Sequence, residues 1–133
     1  MLVLDASAAL AAFLGTGVSS TSIRVRMEAP GESVHAPQLL DVELLHALRG
    51  LVPRGDVSRA RSEESCAHYF DSLRWSRSSH GAFLDRMWEF EDNSGAHDAA
   101  YVALAKTLSA PLVTTDAQLA RAPGIRAEVE VYR

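Results

Sequence analysis

At 133 residues and 47% hydrophobic, the chain is sized for a single domain over residues 1–133 with one buried core. A formal charge of −4 excludes a protein that holds nucleic acid by bulk positive potential, although it leaves room for local patches of its scattered arginines. Cys66 is the single cysteine, which excludes an intramolecular disulfide. The apolar start carries Asp5 and no basic leader, so neither a signal peptide nor a membrane span is expected, and the cytoplasm is the expected compartment.

In chain order, apolar runs suited to buried strands fall at Leu2–Leu4, Val34–Ala36, Leu73–Trp75, Leu112–Thr114 and Val129–Val131. Helical patterns lie between most of them: Ser7–Leu14, Ser19–Glu28, and a long helix from Pro37 to about Leu51 that Pro53 and Gly55 close. Val57–Asp71, His80–Asp92 and Ala96–Leu108 follow, with a short helix after Asp116. Gly15-Thr16-Gly17 reads as a helix C-cap turn, and Ser76-Arg77-Ser78-Ser79 as a surface loop. This alternation predicts an α/β fold with a parallel β-sheet flanked by α-helices.

Four carboxylates sit where such a fold gathers chemistry. Asp5 ends the first strand run and Asp116 follows the run Leu112–Thr114, and in open parallel sheets ligands bind beyond the carboxyl ends of the strands. Glu43 lies within the apolar face formed by Leu39, Leu40, Leu44, Ala47, Leu48 and Leu51. A glutamate on that face needs a partner; the choices are a metal-linked role or a buried ion pair with an arginine. Asp98 falls in the first turn of the helix that continues through Tyr101, Leu104 and Ala105. Asp98 alone could serve the helix dipole, and Asp5 and Asp116 could be plain N-caps.

Taken together, the four read as a magnesium site. Two carboxylates about 4 Å apart repel by on the order of 4 kcal/mol at an effective dielectric of 20, which a hard cation offsets. Magnesium takes oxygen ligands, usually only one or two carboxylates directly, and keeps several waters. The chain has no H-E-x-x-H and no thiolate pair for zinc. Ser7 replaces the second aspartate that a haloacid-dehalogenase-type phosphatase requires, Lys106 lies in a helix rather than after a late strand as a receiver domain needs, and no Walker-type loop is present.

Four segments carry a resemblance: Leu2-Val3-Leu4-Asp5-Ala6-Ser7-Ala8, Ala36-Pro37-Gln38-Leu39-Leu40-Asp41-Val42-Glu43, Asp98-Ala99-Ala100-Tyr101-Val102-Ala103-Leu104-Ala105 and Leu112-Val113-Thr114-Thr115-Asp116-Ala117-Gln118-Leu119-Ala120. In this order they resemble the PIN-domain ribonucleases, specifically the VapC toxins of type II (VapBC) toxin–antitoxin pairs. The resemblance implies a PIN-like parallel sheet, with Asp5, Glu43, Asp98 and Asp116 as catalytic acids. It further implies Mg²⁺ or Mn²⁺ held by Asp5, Asp98 and Asp116, with Glu43 acting through water and Ser7 and Thr114 as hydrogen-bonding supports.

The activity implied is hydrolysis of an RNA phosphodiester in tRNA, rRNA or mRNA, which inhibits translation and growth. A VapB-type antitoxin and a homodimer are the implied partners. Val42 and Leu45, beside Arg49 and opposite the core face, suit the dimer, and the helix Ala8–Leu14, apolar all round, suits the antitoxin groove. Two rivals remain open: a binding protein of this fold that acts without cleavage, and a structure-specific DNA nuclease. The stretch Pro53–Asp92 carries no family signature.

Overall fold

Strands β1 (Leu2–Leu4), β2 (Val34–Pro37), β3 (Ser76–Ser78), β4 (Leu112–Thr114) and β5 (Val129–Val131) form one sheet in the order β3-β2-β1-β4-β5. Every pairing is parallel. The computed structural model describes residues 1–15, 17–71, 75–90 and 95–133, with the backbone alone at Phe70. β1 is central, with Val3 opposite His35 on β2 and Leu112 on β4, and every residue of β1 and β4 is buried. A strand covered on both faces has no solvent side to fill with polar residues, hence the unbroken runs Leu-Val-Leu and Leu-Val-Thr.

Helices α1 (Ala6–Leu14), α2 (Val18–Met27), α3 (Leu39–Leu51) and α4 (Arg59–Asp71) form one group, in which α1 packs against the other three. The apolar circumference of α1 is thereby largely used within the chain: Ala8, Ala9 and Ala12 are buried, and Leu10, Ala11, Phe13 and Leu14 pack on the core. Val42 and Leu45 on α3 remain exposed. The second group is α5 (Leu84–Trp88) against α6 (Ala96–Leu108), where α6 also packs on β1, β2 and β4. No single helix among the described residues is long and apolar enough to cross a membrane.

Gly15 is required by proximity. A Cβ there would stand 2.0 Å from the Ser20 Oγ and 2.6 Å from the Ala11 carbonyl oxygen, too close for any side chain. Arg24 reaches over the same helix end, donating to the carbonyls of Ala12 at 2.9 Å and Gly15 at 3.3 Å. Gly15 is therefore the C-cap expected of it, while Thr16 lies outside the described residues.

The edge strand differs from the expected Leu73–Trp75. Leu73 and Arg74 lie outside the described residues, and β3 is Ser76–Ser78, the segment read above as a loop. Its partner is β2, in the register His35–Ser76, Ala36–Arg77 and Pro37–Ser78. Backbone pairing builds this strand, so it needs no apolar side chains. The expected helix His80–Asp92 is a 3₁₀ turn, His80–Ala82, followed by α5, and its last two residues lie outside the described set. Pro37 closes β2 instead of opening α3, and the element after Asp116 is a single 3₁₀ turn, Leu119–Arg121.

Candidate active site

The strand order places a switch point between β1 and β4. Successive strands step outward through β2 and β3 on one side of β1, and through β4 and β5 on the other, which opens a crevice at the carboxyl ends of the central pair. Asp5 follows β1 and Asp116 follows β4. The last turn of α6 leads through Ser109–Pro111 to the start of β4, so its first turn, with Asp98, lies at the carboxyl edge. Glu43 lies in the second turn of α3, after the carboxyl end of β2.

Asp5 is buried and held by three donors. Its Oδ1 accepts from the Ser7 hydroxyl and from the Ala8 amide, each at 2.8 Å, and its Oδ2 accepts from the Thr114 hydroxyl. The Ala8 bond makes Asp5 the N-cap of α1, so the plain capping role is real and coexists with the central position. Ser7 Oγ in turn accepts from the Thr115 amide at 3.0 Å, and Thr114 Oγ1 from the Asp116 amide at 2.9 Å. Each hydroxyl spends its proton on Asp5 and receives an amide hydrogen, so the supports are anchored by the backbone that follows β4.

Burial pushes the Asp5 carboxyl above its ordinary value; the Thr114, Ala8 and Ser7 hydrogen bonds oppose that rise, and nearby Asp98 adds to it. Asp98 is raised as well, first by desolvation and then by Asp116, with His97 pulling the other way. No hydrogen bond to a described residue settles the Asp98 carboxylate. Asp116 is exposed, and its Oδ1 accepts from the Gln118 amide at 2.7 Å, an Asx-type cap of the turn that follows. Charge repulsion therefore links Asp5 to Asp98 and Asp98 to Asp116.

Glu43 is engaged by a different pair of side chains. Tyr101 donates its hydroxyl to Oε2, and His97 Nδ1 stands 3.0 Å from Oε1. Burial, then the bond to Glu43, raises the Tyr101 phenol far above its usual value, with Asp5 contributing, so it stays a donor. No arginine among the described residues pairs with Glu43, and Arg77, on β3, serves Asp41. Arg77 Nε donates to Asp41 Oδ1 at 2.8 Å, Tyr69 donates to the same oxygen, and the guanidinium lies 4.9 Å from the centre of the Tyr69 ring. Asp41, Tyr69 and Arg77 had no sequence signal, being 28 and 36 residues apart in their pairings.

Among the described residues no three acid, histidine or cysteine side chains crowd closely enough to chelate an ion unaided. The donor set still fits a magnesium-type cation, which takes few direct carboxylates and completes its shell with water. Asp98 supplies a partly desolvated carboxylate free of hydrogen bonds to described residues and repelled by its neighbours, the condition that a divalent ion relieves.

A parallel sheet with acids gathered at its switch point defines an α/β protein with a candidate ligand crevice there, and the chain belongs to the PIN domain family, whose pattern it matches over residues 2–125. It is 37% identical to Ribonuclease VapC1 of Mycobacterium tuberculosis over 98% of this chain and 97% of that protein. Identity to Ribonuclease VapC12 of the same organism is also 37%, over 98% of each chain. The fold is similar to M. tuberculosis VapC20, described as a sarcin-ricin loop cleaving toxin, with a TM-score of 0.68 at 16% identity across 100% of both chains. It is also similar to VapBC2 of Rickettsia felis bound to a DNA fragment from their promoter, with a TM-score of 0.66 at 15% identity over 99% of this chain and 98% of that one. The resemblance carried by the four sequence segments is borne out in family and in fold.

Proposed function

We propose that this chain is the toxin ribonuclease of a type II toxin–antitoxin pair, a Mg²⁺- or Mn²⁺-dependent endonuclease that hydrolyses RNA phosphodiester bonds and so inhibits translation and growth. The observation that carries the reading is the buried Asp5 carboxylate, fixed by Ser7, Ala8 and Thr114 and electrostatically joined through Asp98 to Asp116. Full-length likeness to proteins named as VapC ribonucleases supports it.

In this reading Asp5, Asp98 and Asp116 hold the cation. A bound divalent ion would stabilise charge on the scissile phosphate and ease deprotonation of an attacking water. Ser7 and Thr114 orient Asp5 and favour its ionised form by donating to both of its oxygens, against the burial that raises its carboxyl. Glu43, gripped by Tyr101 and His97, presents its carboxylate to water rather than joining the other acids directly.

An RNA substrate (tRNA, rRNA or mRNA), cytoplasmic action, a VapB-type antitoxin and a homodimer belong to the same proposal. The R. felis complex supports an antitoxin partner, and the exposed Val42 and Leu45 support a self-association face on α3. Incubating purified protein with RNA and with DNA, with and without Mg²⁺, tests the activity. Metal-dependent cleavage of RNA alone is expected. Cleavage of DNA in preference would favour the structure-specific nuclease, and metal binding without cleavage of either would favour a binding protein.

A further inference from the structure

We propose that α3 and α5 are the two halves of one self-complementary interface, so that in a two-fold dimer the stripe of Val42, Leu45 and Arg49 on each copy lies against the face of Leu84 and Trp88 on the other. The inference rests on the self-association face of α3 and supplies the surface which that face meets.

α5 is a short helix with apolar residues turned both ways. Phe83 and Phe90, which flank it, are buried and Met87 packs on the core, whereas Leu84 is 55% exposed and Trp88 73%. Leu84 and Trp88 are four residues apart and so share a face, and the exposed Asp85 and Glu89 form the row beside them. Single apolar residues are common on any surface, but a tryptophan and a leucine side by side, edged by charges, have the make-up of a contact.

α3 carries the counterpart. Val42, Leu45 and Arg49 recur at helical spacing on the side away from Leu40, Leu44 and Leu48, and all three are exposed. One face is thus apolar and basic, the other apolar and acidic. Among the described residues Arg49, Asp85 and Glu89 have no ion-pair partner. Asp85 and Glu89 are like charges one turn apart, a repulsion that an arginine from outside relieves.

The two faces do not meet within one chain, since α5 packs on α6 and Val42, Leu45, Leu84 and Trp88 all stay exposed. A second copy brings them together, and a two-fold axis makes the contact twice, α3 to the partner's α5 and the reverse. Pairing of α3 with α3 would instead gather two Arg49 side chains in one patch, which like charge disfavours. The acids of α5 likewise disfavour a polyanion on that face.

The test measures the dimer dissociation constant of the full chain by sedimentation over a range of concentrations, with circular dichroism to verify the fold. The variants are Trp88→Ala, Arg49→Glu, the pair Asp85→Lys with Glu89→Lys, and the triple variant that exchanges the charges of the two helices. Trp88→Ala and each charge reversal are expected to weaken the dimer by roughly tenfold or more, by removing the apolar anchor or setting like charges face to face. The triple variant should recover most of the loss caused by the reversals.

A wild-type dimer that Val42→Asp disrupts, but that Trp88→Ala and the α5 reversal leave unchanged, would overturn the proposal and keep the α3 face, which would then pair with itself. A triple variant weaker than either of its parents would overturn it too, because Arg49 would not face α5. A wild-type protein that is monomeric at high micromolar concentration would remove both faces. If Trp88→Ala lowers the affinity for RNA and leaves the dimer intact, the α5 face belongs to substrate and the proposal fails.

Discussion

Thr114 donates its hydroxyl to Asp5 from the neighbouring strand while accepting the backbone amide of Asp116. One buried oxygen thus ties together two acids that are 111 residues apart in sequence, Asp5 and Asp116. Thr114→Val keeps the shape and removes the hydroxyl, which leaves a buried carboxylate oxygen and an amide short of partners. The expected cost is about 1–3 kcal/mol, seen as a melting temperature lower by roughly 5–10 °C. Thr114→Ser should restore most of it in the same thermal melt, and a Val variant as stable as wild type would show that the bond is dispensable.

Gly15→Ala tests the joint between α1 and α2. The new methyl meets Ser20 Oγ and the Ala11 carbonyl, so destabilisation of about 1–3 kcal/mol is expected in denaturant melts. The nine-residue α1 places this clash about 13 Å from Asp5, so cleavage per folded molecule should not change.

The raised carboxyls of Asp5 and Asp98 set a pH dependence. Each binds its proton more tightly in the folded state, so its contribution to stability is full below the ordinary value of 3.8 and is lost as pH rises through the raised value. At neutral pH without metal the ionised pair therefore weighs against the fold. Asp98→Asn should melt higher than wild type at pH 7 in metal-free buffer, and the gap should narrow as pH falls toward 3.8. Millimolar Mg²⁺ should raise the wild-type melting temperature and leave the variant nearly unmoved.

On α3, Val42 is 66% exposed and Leu45 40%, so both lie outside the core and on the proposed self-association face. Val42→Asp should convert a dimer to monomer in sedimentation at micromolar concentration, with the helix content unchanged. A wild-type protein that is already monomeric there would remove the self-association face.

The central strands were legible because burial on both faces forces an apolar run, and the placing of Asp5 and Asp116 was legible because they stand one and two residues after such runs. β3 was not, since Ser-Arg-Ser is held by backbone pairing with β2 and carries no hydrophobic pattern. Glu43 was recognised as needing a partner, but neither Tyr101 nor His97 could be named: the pairing joins α3 to α6 across 58 residues, a tertiary contact with no local spacing. The same holds for Arg77, which was read as loop and is the clamp on Asp41. Likewise, the apolar ring of α1 looked like surplus area until α2, α3 and α4 closed around it.

The most direct test of the proposed metal-dependent active site is Mg²⁺-dependent cleavage of total RNA by Asp98→Asn, beside wild type and Asp5→Asn, with circular dichroism to verify the fold. Asn keeps the size of Asp98 and removes the charge through which it couples to Asp5 and Asp116. A folded variant with cleavage reduced by about a hundredfold or more is the predicted result. A folded Asp98→Asn protein that cleaves RNA at the wild-type rate would contradict it.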